Sequence, residues 1–259
     1  MEINKKLNIS LIIQARMESH RLPGKVLKKI GRYTLIELIL KRVSKAKMPN
    51  KILVVIPKNI KNNILKEKII SYGHEVFVGS HKNVLSRYYN AARYLKSDII
   101  IRVTSDCPFV DYELIDKMVK DFINCKNNVD FISNVTPPTF PDGYDIEIMS
   151  FASLKRAYYS AFDPLDKEHV TRFIKNSNKF KKLNFVNKTN LSNIRLTIDY
   201  QKDLDNVCLI YKKIKNNFFL LEDLIKLMNK NNKIKKLIEF KKKIDKSNAG
   251  INLSLKAKK

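Results

Sequence analysis

The chain has 259 residues, 44% of them hydrophobic, and 51 Lys and Arg against 25 Asp and Glu give a formal charge of +26. No run approaches the roughly 20 apolar residues that span a bilayer, and Cys107, Cys125 and Cys208 are scattered without disulfide-framework or zinc-site spacing. Those features argue against a helical membrane protein, a disulfide scaffold and a zinc module.

The opening "MEINKKLNIS" runs straight into a strand, without the apolar core of a signal peptide, so a cytoplasmic protein is expected. "NISLIIQA" reads as a buried strand and is followed by a cationic loop carrying Arg16, His20, Arg21 and Lys25 around one proline and one glycine. "YTLIELILKRVSKA" has apolar residues at helical spacing, "KILVVIP" is a second strand, and "NNILKEKIISYG" a helix closed by glycine. The strand "HEVFVG", the helix "NVLSRYYNAARYLK" and the strand "SDIIIRV" follow. The loop "TSDCPFVD" leads into the helix "YELIDKMVKDFINC", with Asp111 as N-cap, and then the strand "NVDFISNV". Strands and helices in steady alternation predict an α/β fold with a mostly parallel sheet covered on both faces. Ligands of such sheets bind beyond the carboxyl ends of the strands, where the Arg16–Lys25 and Thr104–Asp111 loops lie.

After Val135 the pattern changes. "TPPTFPDG" is too proline-rich for regular structure, and "YDIEIMS" alternates like a half-exposed strand, with Asp145 and Glu147 on one face. "FASLKRAYYSA" and "DKEHVTRFIKN" read as helices, "KLNFVN" and "IRLTIDY" as strands, and the Lys-rich remainder as helical. The expected organisation is an α/β core over 1–135, a small α+β insertion over 136–190, a return strand and C-terminal helices over 191–246, and a mobile tail over 247–259. The lysines are spread along the chain, Trp is absent and there are six glycines. The charge is therefore read as codon bias rather than as a specific nucleic-acid surface.

Cations after a first strand suit a polyanion such as a triphosphate, although neither the GxxxxGK[ST] nor the GxGxxG pattern is present. Taken alone, Asp106 and Asp199 read as turn or cap residues at strand ends. Cys107 reads as a small buried residue, since no partner base is evident. Arg87 alone reads as a solvent-facing helical cation, and His169 alone reads as a structural hydrogen-bonding residue.

Several ordered motifs, "QARMESHRLPGKVLKKIG", "VFVGSHKNVLSRYYNAA", "IIRVTSDCPFVDYELID", "FPDGYDIEIMS", "KEHVTRFI" and "IRLTIDYQKDLDNV", together resemble the SpsF-like cytidylyltransferases of spore-coat polysaccharide biosynthesis. The 3-deoxy-manno-octulosonate and acylneuraminate cytidylyltransferases are their relatives. The resemblance covers about residues 8 to 228 and implies a Rossmann-like nucleotide-binding domain whose insertion helps form a homodimer. It implies that Arg16, Arg21 and Lys25 grip the phosphates of CTP, with Gln14, Ala15, Arg87, Thr104 and Ser105 also at the nucleotide. It makes Asp106 and Asp199 the carboxylates that hold Mg²⁺. Asp142, Asp145, Glu147, Glu168 and His169 would orient an anionic acceptor, such as a nonulosonate-like sugar acid. A phosphonate or polyol phosphate is the alternative acceptor, and a catalytically inactive basic RNA-binding or scaffold protein the alternative of another class. Glu18, His20 and Ser105 depart from the family pattern, which usually has a small residue, often threonine, and glycine at those positions.

Overall fold

A computed structural model describes residues 7–125 and 128–239. The expected tail at 247–259 lies outside them. The main sheet has seven strands in the order β5-β4-β1-β6-β8-β7-β9. They are β1 (Ile9–Gln14), β4 (Lys51–Pro57), β5 (Glu75–Gly79), β6 (Ile99–Thr104), β7 (Phe131–Ser133), β8 (Glu147–Ser150) and β9 (Lys182–Asn184). A small antiparallel hairpin, β2 (Lys29–Ile30) and β3 (Tyr33–Thr34), stands apart. β5, β4, β1 and β6 are mutually parallel, β8 runs antiparallel to β6 and β7, and β9 is parallel to β7. This is the α/β architecture with a mostly parallel sheet that the alternation predicts.

Period-two alternation sorts the apolar residues of the central strands onto two faces. Leu11, Ile13, Val54, Ile56, Ile101 and Val103 join one core, with α1 (Leu35–Val43), α2 (Asn63–Ser71), α4 (Tyr112–Asn124), α8 (Gln201–Ile214), α9 (Leu221–Lys230) and α10 (Asn232–Ile238). Ile12, Leu53, Val55 and Ile100 join the other, with α3 (Val84–Tyr94), α5 (Phe151–Ser160) and α7 (Arg172–Asn176). The helix starts follow local chemistry. Thr34 and Glu37 form a capping box on α1, and the Asp111 carboxylate accepts from the Glu113 and Leu114 amides at the start of α4, as expected of an N-cap.

Three local expectations need correction. "YDIEIMS" is not a half-exposed strand: β8 lies between β6 and β7, so Ile146, Glu147, Ile148 and Met149 are all buried. The 136–190 segment thus contributes β8 and β9 to the central sheet. "DKEHVTRFIKN" is not one helix, because α6 (Pro164–Glu168) and α7 are separated by buried Val170 at φ 48°. A β-branched residue in that region is a genuine outlier and breaks the helical path. "IRLTIDY" is extended but makes isolated bridges, Asp142 with Arg195 and Ile194 with Glu239, in place of a strand ladder. Gly143, at φ 108°, allows this close approach, since a Cβ there would lie 2.9 Å from the backbone at Leu196 and Thr197.

Arg42 ties the loop after β6 to the C-terminal helices. Its side chain is fully buried in α1 and donates to the carbonyls of Val110 (3.0 Å), Phe109 (3.2 Å), Asn217 (2.9 Å) and Phe219 (2.7 Å), with its guanidinium 5.0 Å from the Phe219 ring centre. Burial lowers its pKa, and the carbonyls replace the lost hydration. Arg42→Met preserves bulk but leaves these acceptors without their donor, and is expected to cost about 3 kcal/mol or more in denaturant unfolding. A loss below about 1 kcal/mol would contradict this role for the guanidinium.

Candidate active site

The loop after β1 turns back on itself. The Met17 carbonyl accepts from the Ser19 and Gly24 amides, and Gly24, at φ 67°, leads into a short 3-10 helix over Lys25–Leu27. That turn sends the Lys25 side chain inward. Its ammonium donates to the Ile198 carbonyl at 2.6 Å, Asp199 Oδ1 at 3.0 Å and Asp106 Oδ2 at 3.2 Å. Asp106 follows β6, and Asp199 ends the extended segment that crosses beneath it. The Ile198 amide donates to the Asp106 carbonyl at 2.9 Å. Two carboxylates separated by 93 positions therefore share one ammonium.

Further cations surround Asp199. Arg21 Nη2 is 2.7 Å from Oδ1, with the Arg21 guanidinium 5.2 Å from the Tyr200 ring centre. Arg195 reaches Asp199 Oδ2 at 2.9 Å, Asp142 Oδ2 at 2.6 Å and Asp203 Oδ2 at 3.4 Å. Burial alone would raise the pKa of Asp199, but Lys25, Arg195 and Arg21 outweigh it and hold the carboxyl below its ordinary value. Asp106 accepts from Thr104 Oγ1 at 2.6 Å.

A cleft of about 440 Å³ opens over this cluster. Gln14, Ala15, Arg16, Arg21, Lys25 and Arg87 line it, with Thr104, Ser105, Asp106, Glu168, His169 and Asp199. The sequence region that aligns with known proteins contains all of these positions. The family described as "Cytidylyltransferase" matches residues 10–244. The chain belongs to the cytidylyltransferase family.

Among its relatives is the spore coat polysaccharide biosynthesis protein SpsF of Bacillus subtilis, 31% identical over 232 residues, 86% of this chain and 95% of that protein. A cytidylyltransferase structure from Leptospira borgpetersenii superposes with a TM-score of 0.86 at 30% identity, covering 91% of this chain and 98% of that one. A CMP-2-keto-3-deoxy-manno-octonic acid synthetase complexed with CTP shares the fold, with a TM-score of 0.62 at 14% identity over 79% of this chain and 98% of that one. As a member of this family, the chain is a nucleotidyltransferase.

The cytidylyltransferase cleft contains every nucleotide-side residue expected from the sequence, together with Ser19, His20 and Val84. Arg87 does not face solvent. It is buried, donates to the Ser80 and His81 carbonyls, and retains a buried Nε without a hydrogen-bond partner. Burial lowers its pKa to about 10, and nearby Arg16 acts in the same direction. Glu18 is turned toward Asn59 and Asn62, whose side-chain amides donate to it at 2.8 and 3.5 Å.

The residues expected at the acceptor separate into two groups. Glu168 and His169 line the cleft, just before the strained turn at Val170. Asp142, Asp145 and Glu147 do not line it. Asp142 is paired with Arg195, and Glu147 accepts from Arg102, Lys175 and Thr171. Arg195, Asp203 and Arg102 join these clusters although no motif in the sequence singles them out. The signal available for Arg195 was its spacing, four residues before Asp199 and eight before Asp203. Cys107 is buried between Thr104 and Asp106, and burial pushes its thiol well up, as suits an inert small residue.

Burial pushes the Asp145 carboxyl up to about 7, and the charge of Asp142 adds to this, against one amide donation from Gly143. The folded carboxyl thus binds its proton more tightly than the unfolded one, so ionisation destabilises the fold as pH rises from its ordinary value toward 7. Asp145→Asn is expected to raise Tm by several degrees at pH 8 and to leave it nearly unchanged at pH 4. Equal effects at both pH values would show that Asp145 does not titrate in this way.

Proposed function

We propose that this cytidylyltransferase activates an anionic sugar acid with CTP, giving a CMP-sugar and pyrophosphate for surface polysaccharide or glycan biosynthesis. The observation that carries the nucleotide half is the cluster in which Lys25 and Arg21 neutralise Asp106 and Asp199 beneath a cleft also lined by Arg16 and Arg87. Similarity to SpsF and the fold shared with the octulosonate enzyme support the acceptor half.

Lys25 and Arg21 then have two successive partners. Without nucleotide they neutralise the carboxylates. With CTP present they turn to its phosphates, where they stabilise charge developing on the departing pyrophosphate. Among the described residues, no three His, Cys, Asp or Glu side chains form a metal-holding group. The two carboxylates that meet at the Lys25 ammonium are nevertheless hard oxygen donors, and they fit Mg²⁺ if substrate phosphates complete its coordination. Bound Mg²⁺ would supply charge neutralisation at the triphosphate. Thr104 fixes the rotamer of Asp106, while Arg195 holds the second oxygen of Asp199, so both carboxylates are preorganised.

An acceptor hydroxyl oxygen attacks the α-phosphorus, giving up its proton to solvent, as the bond to the departing pyrophosphate breaks in line. Most of the catalysis is positioning and charge stabilisation. Glu168 and His169 lie where they can orient acceptor hydroxyl or amino groups. The exposed Tyr159, Phe162 and Leu165 support a homodimer formed through the 136–190 segment, for which light scattering is expected to give about twice the 30.2 kDa chain mass.

Binding of CTP with Mg²⁺ to the folded state is expected to raise Tm more than equal concentrations of UTP, ATP or GTP. Pyrophosphate release in a panel of acidic sugars should require one of them. Asp106→Asn and Asp199→Asn should each slow turnover about 100-fold or more. A preference for ATP or GTP, or near-normal turnover in either variant, would remove this reading.

A further inference from the structure

The sheet face beneath α3, α5 and α7 is largely apolar, but three polar side chains meet on it: Gln14 on β1, Arg102 on β6 and Glu147 on β8. Arg102 stands opposite Ile12 in the β1 ladder and opposite Glu147 in the β8 ladder. Its Nη1 donates to Glu147 Oε2, and its Nη2 donates to Gln14 Oε1 at 3.1 Å. Glu147 is itself anchored, accepting from Lys175 Nζ at 3.0 Å and from Thr171 Oγ1, 3.0 Å from each carboxylate oxygen. These contacts leave the Arg102 guanidinium little freedom. Tyr88 confines it on another side, with its ring centre 5.9 Å away.

A guanidinium can only donate. Gln14 must therefore turn its Oε1 toward Arg102, which leaves the NH₂ end for the cleft that Gln14 lines. Gln14 is paired in register with Thr104, whose hydroxyl donates to Asp106. The free amide donor thus belongs to the part of the cleft where the carboxylates and phosphate-loop cations converge. An ion pair serving sheet cohesion alone would not need a third, polar member on the neighbouring strand. An apolar residue at position 14 would continue the pattern of Leu11, Ile12 and Ile13.

We propose that Arg102, held by Glu147, is a positioning residue that fixes the Gln14 amide so that its NH₂ donates to a phosphate oxygen of the bound nucleotide. Glu147 acts in this arrangement through Arg102, without touching an acceptor. The inference rests on the reading of the cleft as a CTP site.

Calorimetric titration of the full chain with CTP and Mg²⁺ tests it. Gln14→Ala is expected to weaken CTP binding about 10-fold, as suits loss of one hydrogen bond to a charged oxygen. Gln14→Glu can retain the contact with Arg102 while losing the donor and adding a negative charge, so it should weaken binding more than the alanine. Arg102→Lys replaces the planar fork, which reaches Glu147 and Gln14 from separate nitrogens, with one ammonium of different reach, and should weaken binding in the wild-type background but by less than about 2-fold more in the Gln14→Ala background. Wild-type binding by Gln14→Glu, or full additivity of Arg102→Lys with Gln14→Ala, overturns the proposal while leaving the CTP site intact. Failure of the unaltered protein to bind CTP overturns both. If Arg102→Lys does not fold, Glu147→Gln, which keeps size and loosens the hold on Arg102, takes its place in the same cycle with Gln14→Ala, and full additivity there likewise overturns the proposal.

Discussion

One ammonium organises the site. Lys25 comes from the loop after β1, Asp106 from the loop after β6, and Ile198 and Asp199 from an extended segment far along the chain. Three stretches distant in sequence are thus fixed to one point by charge. The two carboxylates would repel one another if left alone, and Lys25 makes their proximity tolerable. Arg21 and Arg195 extend the same compensation outward. In the proposed mechanism such a cluster exchanges partners: cations that balance carboxylates here would become phosphate ligands once a polyanion and its metal arrive. Its electrostatics match the nucleotidyl transfer of the family to which the chain belongs.

The sheet explains why the cluster forms at this place. Parallel β4, β1 and β6 end at one edge, and their loops open there. Apolar side chains fill both faces of these strands, so polar side chains accumulate where the strands end. Antiparallel β8 then fits beside β6 and brings Glu147 under Arg102. The 136–190 segment therefore does more than carry Glu168 and His169 into the cleft. It also supplies the buried carboxylate that neutralises a cation in the central sheet.

Much of this was legible in the sequence, for physical reasons that differ from residue to residue. The βαβ alternation required a mostly parallel sheet, and the carboxyl ends of its strands located the cationic loop and the Thr104–Asp111 loop together. The pairing of Asp106 with Asp199 was not deducible from spacing, since each alone resembles a turn residue. Family resemblance brought them together, and the structure joins them through Lys25. Arg87 was undecided because helical periodicity does not reveal which side a lone cation takes. Arg195 escaped notice because "IRLTIDY" read as an ordinary strand, whereas the segment is a bridge whose value lies in its charges. Alternation places Glu147 with Asp145 on the acidic face of a half-exposed strand. Alternation does not distinguish solvent from a second buried face, and the neighbouring β6 and β7 decide between them. The break at Val170 had no local breaker to announce it, since neither glycine nor proline is present in "KEHVTRFI".

The central claim is that Lys25 and Arg21 are resident counterions which nucleotide displaces. A crystal structure with Mg²⁺ and a CTP analogue whose α,β-bridge cannot be cleaved tests it most directly. The account predicts the triphosphate in the cleft above Asp106 and Asp199, with the Lys25 ammonium and the Arg21 guanidinium moved from the carboxylates onto phosphate oxygens. A nucleotide bound elsewhere, or a triphosphate in the cleft while both cations retain their carboxylate partners, would contradict it.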